Sequence, residues 1–197
     1  MMGRYLGPTL FAVAMFFAIR LIAAQTASPK VKTDQGRQWK EYAYPSDGFA
    51  IMLPDAPRPH EDSQVAGGTV YSIRLAWDTV ASLHVASFPG GCADVFDRHV
   101  SAMNLQARTG KWTDARTDSN RLSYRLDAAS LREFNFVGHP AAEYEEEVMG
   151  PGTHFGGYQR FQCVDKRFYI FQARWFFGPP RPTDVTRAIS SFRLVEK

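Results

Sequence analysis

The sequence predicts an α+β domain, in which helices pack on the faces of a largely antiparallel β-sheet. Two observations carry this prediction. Short apolar segments separated by turn residues recur along most of the chain, which is typical of antiparallel strands. Two other segments carry apolar residues at the spacing of one helix face. Because 45% of the 197 residues are hydrophobic, the chain can bury one core of ordinary size.

Residues 1–24 have the order of a secretory signal peptide. An apolar run from Leu10 to Ile19 is followed by Arg20 and then by small residues, and we expect cleavage after Ala24. A membrane-spanning helix needs about 20 apolar residues, and Arg20 interrupts the run before that length. An uncleaved anchor is the alternative. The sequence therefore predicts export to the periplasm or the extracellular space.

The rest of the chain is predicted to be a flexible linker followed by one domain. Residues 25–37 are polar and lack apolar periodicity, as linkers do. Residues 38–197 then form a single domain. Removing residues 1–24 deletes two arginines and no acidic residue, which lowers the formal net charge from +3 to +1. The remaining charges are mixed along the sequence, so nucleic acid is not expected as a partner.

The strands are predicted from alternation and from the turn residues that bound them. Ser46, Asp47 and Gly48 mark the first turn, and the proline-rich residues 54–59 are expected to end pairing. In the last hairpin, which turns at residues 165–167, the alternation is clearest. The predicted strands are Trp39–Tyr44, Phe49–Leu53, Val70–Trp77, Ala81–Phe88, Arg132–Val137, Ala141–Val148, Phe155–Val164 and Phe168–Phe177.

Two helices are predicted. The first spans Ala93–Ala107 and ends at Thr109 and Gly110, and its apolar stripe is Phe96, Val100, Met103 and Ala107. The second begins with Thr183 as its N-cap, and its stripe is Val185, Ala188, Ile189 and Phe192. Residues 110–121 lie between helix and strands and are predicted to be a polar surface loop that carries Trp112.

Cys92 and Cys163 are the only cysteines, and in an oxidising compartment they are expected to form a disulfide. The alternative is a reactive Cys92 thiolate at the start of the first helix, with His99 nearby. Such a pair normally needs a third, orienting group, and the sequence supplies none.

The sequence predicts no catalytic residue, no cofactor and no metal ligand. It lacks the nucleophile elbow, the phosphate-binding loop, the dinucleotide fingerprint and the zinc-protease motif. Its histidines show no metal-ligand spacing, although a site built from His84 and His99 is an alternative.

The acidic run at residues 143–147 is predicted to lie on a strand. Glu143, Glu145 and Glu147 would then share one face, solvated and balanced by arginines such as Arg160 or Arg174 on neighbouring strands. A site for a cation or a basic partner is the alternative for this face.

Aromatic residues near the last strand predict an interaction surface. Trp175, Phe176 and Phe177 precede a Gly-Pro-Pro break, and an outward ring there would offer an apolar contact to a partner. Trp112 in its polar loop and His154 in a glycine-rich loop complete this predicted surface.

Several segments together resemble the PsbP-like superfamily, which includes the photosystem II extrinsic protein PsbP and the Ran-binding Mog protein. The segments that carry the resemblance are Ser46–Pro54, Val137–Glu143, Arg167–Phe171 and Ser190–Leu194. The resemblance implies an α/β/α sandwich around an antiparallel sheet, without catalytic residues, that acts by binding or docking. No surface residue matches a Ran-binding or photosystem-binding site, so neither partner carries over.

Three functions follow as hypotheses. The first is an exported, non-enzymatic binding or accessory module whose partner is an unknown protein or envelope component. The second is a hydrolase that uses Cys92 or a histidine-containing site. The third is a carrier of a small apolar ligand.

Overall fold

The computed structural model describes residues 37–62, 67–116 and 121–195. The predicted signal peptide, its cleavage site and residues 25–36 of the predicted linker lie outside the described residues. Within the described ranges, no helix combines the length and the apolar character needed to cross a membrane.

Twelve strands and two helices are formed in the described part of the chain. The strands are β1 (Lys40–Tyr44), β2 (Phe49–Leu53), β3 (Arg58–Glu61), β4 (Thr69–Arg74), β5 (Thr79–Ser87), β6 (Thr113–Arg116), β7 (Arg121–Leu126), β8 (Arg132–Phe136), β9 (His139–Gly150), β10 (Thr153–Val164), β11 (Arg167–Phe176) and β12 (Arg193–Leu194). The helices are α1 (Ala93–Thr109) and α2 (Thr183–Ser191).

All the strand pairs are antiparallel, as predicted. A large sheet of nine strands has the order β3-β4-β5-β11-β10-β9-β7-β6, with β8 also paired to β9. A small sheet has the order β1-β2-β12. The predicted α+β class, mostly antiparallel sheet with two helices, is confirmed.

The hairpin of β10 and β11 forms the centre of the large sheet. Asp165 and Lys166 make its turn, and Val164 pairs with Arg167. Alternate side chains of β11 enter two different cores, because successive residues of a strand point to opposite faces. Tyr169 and Phe171 pack with α2 and the small sheet, whereas Phe168 and Ile170 pack with α1.

Two strands end earlier than alternation predicted. β11 ends at Phe176, and Phe177 has a positive φ of 75°, so its ring leaves the row of buried residues and is exposed. β4 likewise ends at Arg74, and Trp77 is exposed. The predicted extensions of these strands to Trp77 and Phe177 are therefore wrong.

The first helix is confirmed, and the second differs in its cap. In α1 the predicted stripe faces the core, and Gly110 ends the helix in the left-handed conformation that favours glycine. In α2 the N-cap is Pro182, and Thr183 is the first helical residue. Its buried residues Val185, Ala188 and Ile189 are those predicted.

Two segments predicted to lie outside the sheet belong to it. Part of the predicted surface loop at 110–121 forms β6 and the start of β7, which pair at the edge of the large sheet. Pro59 lies in β3 at the opposite edge. An edge strand tolerates proline because its outer side needs no hydrogen-bond donor.

Cys92 and Cys163 form a disulfide, as predicted, with 5.6 Å between their Cα atoms. The bond ties the residue before α1 to β10, and both sulfurs are buried in the core beneath α1. It therefore fixes the start of the helix on one face of the large sheet.

Candidate binding surfaces

Exposed apolar side chains gather where β11 ends and β5 begins. We call this the sheet-end surface: Trp77, Met149, His154, Phe176 and Phe177. Trp77 is 54% exposed and Phe177 is 75% exposed, although their ring centroids are only 6.4 Å apart. Contiguous exposed apolar residues of this kind are uncommon on monomeric proteins and mark interaction sites.

Trp175 supports this surface from below and is not part of it. Its side chain is 3% exposed, and its Nε1 donates a hydrogen bond to the carbonyl of Gly178 at 2.7 Å. The prediction that Trp175 presents an outward ring is thus corrected, because its position in β11 points it into the core. The exposed rings of this surface are those of Trp77, Phe176 and Phe177.

His154 joins the end of β11 to the glycine turn that follows it. Its carbonyl accepts the backbone N–H of Phe177 at 2.9 Å. Its imidazole fills the space over Gly178, where an added Cβ would lie 2.5 Å from the ring. Gly178 also has a positive φ of 68°, so this close contact requires glycine. His154 pairs with exposed Met149 across the β9–β10 hairpin.

Trp112 lies farther along the same end of the sheet. The guanidinium of Arg125 sits 5.0 Å from the centroid of the Trp112 ring and also contacts Glu147 at 3.0 Å. Glu147 pairs with Gly156, which in turn pairs with Trp175. The structure therefore places all three predicted surface residues, Trp112, His154 and Trp175, at one end of the large sheet, although Trp175 is buried there.

The predicted acidic face is partly buried. The side chain of Glu143 is only 5% exposed, which corrects the prediction of a solvated row. Tyr158 donates to it at 2.7 Å and Arg160 at 3.0 Å, and Arg132 donates through both Nε and an NH2 group. Arg160 is the predicted partner, whereas Arg174 instead approaches Glu146 at 3.8 Å.

The Glu143 carboxylate is stabilised in its charged form. Burial alone would raise its pKa, but hydrogen bonds from Tyr158 and Arg132 and the charges of Arg160 and Arg132 outweigh burial and leave the pKa below its ordinary value. Burial and the neighbouring Glu143 carboxylate raise the pKa of Tyr158, so its hydroxyl remains a donor at neutral pH.

A polar cleft of about 270 Å³ lies beside this network. It forms because β7 and β8 pair with different parts of β9 along the same edge, and the connection between them borders the opening. Arg181 lies 3.5 Å from Glu145 and 4.6 Å from the centroid of the Tyr158 ring. The cleft is lined by Ala129, Ser130, Arg132, Glu143, Tyr144, Glu145, Tyr158 and Arg181.

A second cavity, beneath α2, is much smaller. It is bordered by Ile189 and Phe192 and has a volume of about 10 Å³, which holds about one water molecule. A carrier of a small apolar ligand needs a pocket of about 300 Å³ or more, so this cavity does not serve that function.

The alternative site at Cys92 is excluded by the disulfide, which leaves no thiol on either cysteine. His99 instead packs its ring on Phe161, with centroids 4.7 Å apart, and also contacts Phe168. Burial lowers the pKa of His99. The alternative of a reactive Cys92 and His99 pair is therefore wrong.

His84 belongs to a different polar cluster that the sequence analysis missed. Its Nε2 lies 3.0 Å from Ser82 Oγ, and its Nδ1 lies 3.1 Å from Asp62 Oδ2. Burial lowers the pKa of His84 more than Asp62 raises it. Ser82 and His84 are two residues apart on β5, a spacing that places them on one face and was visible in the sequence. Within residues 37–62, 67–116 and 121–195, no group of three or more His, Cys, Asp or Glu side chains could hold a metal ion.

Comparison with known proteins finds similarity only at the level of structure. No family model and no curated protein matches the chain. The solution structure of cyanobacterial PsbP from Synechocystis sp. PCC 6803 is similar over 86% of this chain and 98% of that chain, with 14% identity and a TM-score of 0.47.

A second similar structure comes from Bacteroides thetaiotaomicron VPI-5482, with 10% identity and a TM-score of 0.41. The similar region covers 80% of this chain and 49% of that one, so this chain spans about half of the larger protein's length.

Proposed function

We propose that this chain is an exported, non-enzymatic binding module that engages an apolar region of a protein or envelope component through the sheet-end surface. One observation carries the proposal: Trp77 and Phe177 are 54% and 75% exposed and lie side by side. Leaving two large rings in water has no stabilising value for the fold, whereas covering them on binding is favourable.

The base of this surface is held by buried packing and hydrogen bonds. Trp175 is buried and hydrogen-bonded to Gly178, and Phe177 is hydrogen-bonded through its backbone to His154. A surface held in one conformation loses less entropy when a partner binds. These contacts support a preformed site.

Export is supported by two features that arise separately. The signal-like order of residues 1–24 predicts transfer across a membrane, and a disulfide persists mainly in oxidising compartments. We further propose the α/β/α sandwich that the family resemblance implies, because α1 and α2 contact residues from opposite faces of β11.

Paired affinity captures from the exported fraction test the proposed function. The full chain and its Trp77→Ser/Phe177→Ser variant serve as baits, and Leu105→Ser, which removes an equally exposed apolar side chain from α1, is the matched control. We expect a partner that is retained by the wild type and by Leu105→Ser but lost with the double variant. Equal retention by all baits would contradict a role for this surface.

A serine hydrolase activity is the second candidate function, and the Ser82–His84–Asp62 chain of hydrogen bonds favours it. The Ser82 side chain is fully buried, so a substrate would reach it only after local opening. Treatment with a fluorophosphonate probe decides the matter. If the probe labels the wild type but not Ser82→Ala, the hydrolase activity is supported. If the probe does not label the wild type, this activity is excluded.

A further inference from the structure

We infer that the polar cleft between β9 and the β7–β8 connection binds a small organic anion through a carboxylate or phosphate group. This site is distinct from the sheet-end surface, and none of the residues that define that surface lines the cleft. Anion binding in the cleft can therefore be tested separately from the proposed function.

The cleft is lined by charged groups of both signs. Arg132 and Arg181 line it, and Arg160 approaches the same Glu143 carboxylate from within the sheet. Three guanidinium groups thus face the two carboxylates of Glu143 and Glu145. The two arginines and the two glutamates that line the cleft balance in formal charge, so a preference for an anion depends on the hydrogen-bond donors that the arginines leave unused.

The hydrogen-bonding capacity of the cleft favours an anion. A carboxylate offers about four acceptor positions, and Glu143 accepts four hydrogen bonds: two from Arg132, one from Tyr158 and one from Arg160. It has no acceptor left for a cation or a ligand donor. Arg132 uses only two of its five N–H groups on Glu143. The N–H groups of Arg132 that Glu143 does not use therefore remain as donors at this end of the cleft.

Arg181 is positioned to take a ligand oxygen. Its nearest contact with Glu145 is 3.5 Å, which exceeds the length of an ordinary N–H···O hydrogen bond. Stacking over the Tyr158 ring at 4.6 Å holds its guanidinium plane. The planar fork of an arginine matches two oxygens of a carboxylate or phosphate, so an anion would displace the loose contact with Glu145.

The volume of about 270 Å³ limits the ligand to a small molecule, close to the lower end of ordinary ligand pockets. The hydroxyl of Ser130 is already engaged, because it donates to the backbone carbonyl of Asp127 and accepts the backbone N–H of Glu145. The recognised feature is the anionic group itself.

Isothermal titration calorimetry on the full exported protein tests this inference, with succinate and inorganic phosphate as separate probes at constant ionic strength. Binding of either probe supports the site, and the probe that binds more tightly identifies the anionic group. Arg181→Gln should weaken binding at least tenfold. Glu145→Gln should strengthen it several-fold, because it removes the carboxylate that competes for Arg181.

Arg193→Gln is the matched control, since Arg193 pairs with Glu41 on the small sheet and does not line the cleft. It should bind as the wild type does. Arg181→Gln and Glu145→Gln are expected to change the affinity in opposite directions, which a folding defect would not do. If Arg181→Gln does not fold, the affinity of Glu145→Gln alone tests the inference. No heat with either probe, or affinities that Glu145→Gln leaves unchanged or lowers, would overturn the inference.

Discussion

The indole of Trp175 occupies the space over Gly156, its cross-strand partner on β10. A Cβ added to Gly156 would lie 2.3 Å from the indole, a separation that no stable structure tolerates. The ring can lie there only because Gly156 has no side chain, and its position sets the floor of the sheet-end surface.

We expect Gly156→Ala to destabilise the domain by about 1–3 kcal/mol, the usual effect of adding volume to a packed core. Urea unfolding measures this change. Gly90→Ala is the control, because an added Cβ at Gly90 meets no atom within 4 Å. Equal unfolding midpoints for the two variants would show that the indole moves away without loss.

The disulfide should contribute substantially to stability. It closes a loop with a sequence separation of 71 residues, and the loss of chain entropy in the unfolded state predicts about 4 kcal/mol. We therefore expect a reductant to lower the urea midpoint strongly. A Cys92→Ser/Cys163→Ser variant should already have the lower midpoint and should not respond to reductant. Thiol titration checks that the disulfide has been reduced. If the wild-type urea midpoint then stays unchanged, the prediction is refuted.

Glu143 should make stability depend on pH in the acidic range. Because its folded pKa lies below its ordinary value of 4.5, the carboxylate stabilises the fold above that value, and this contribution is lost as the pH falls through the folded pKa. Glu143→Gln should cost about 3 kcal/mol at pH 7, since it leaves the surrounding arginines without their buried partner.

Urea unfolding between pH 7 and pH 3 checks the Glu143 prediction. The difference between wild type and Glu143→Gln should shrink below about pH 4.5. Glu147→Gln, which removes the more exposed contact with Arg125, should cost less than about 1 kcal/mol. A difference for Glu143→Gln that stays constant across the range would contradict the assigned pKa direction.

Much of the fold was predictable from alternation, but the end of β11 was not. The period of two identified the residues of β11 that share a face, but it could not show that the backbone leaves the sheet at Phe177. That change depends on the positive φ of Phe177 and Gly178 and on the hydrogen bond to His154. Phe177 is consequently exposed, although alternation placed it on the same face as the buried Trp175.

The candidate sites were less predictable, because they depend on contacts between distant parts of the chain. Alternation placed Glu143 on one face with Glu145 and Glu147. Its burial follows from Arg132 on β8 and Arg160 on β10. Arg160 was expected on a neighbouring strand, but no local pattern indicates Arg132. The disulfide could be predicted because the chain has only two cysteines.

Site-specific photocrosslinking in cells that produce the protein tests the central claim most directly. A photoreactive benzophenone side chain replaces Phe177, and in a second variant it replaces Leu105, which is 67% exposed on α1. We expect a discrete heavier adduct from position 177 and none from position 105. No adduct at position 177, or the same adducts at both positions, would contradict the claim that the sheet-end surface binds a partner.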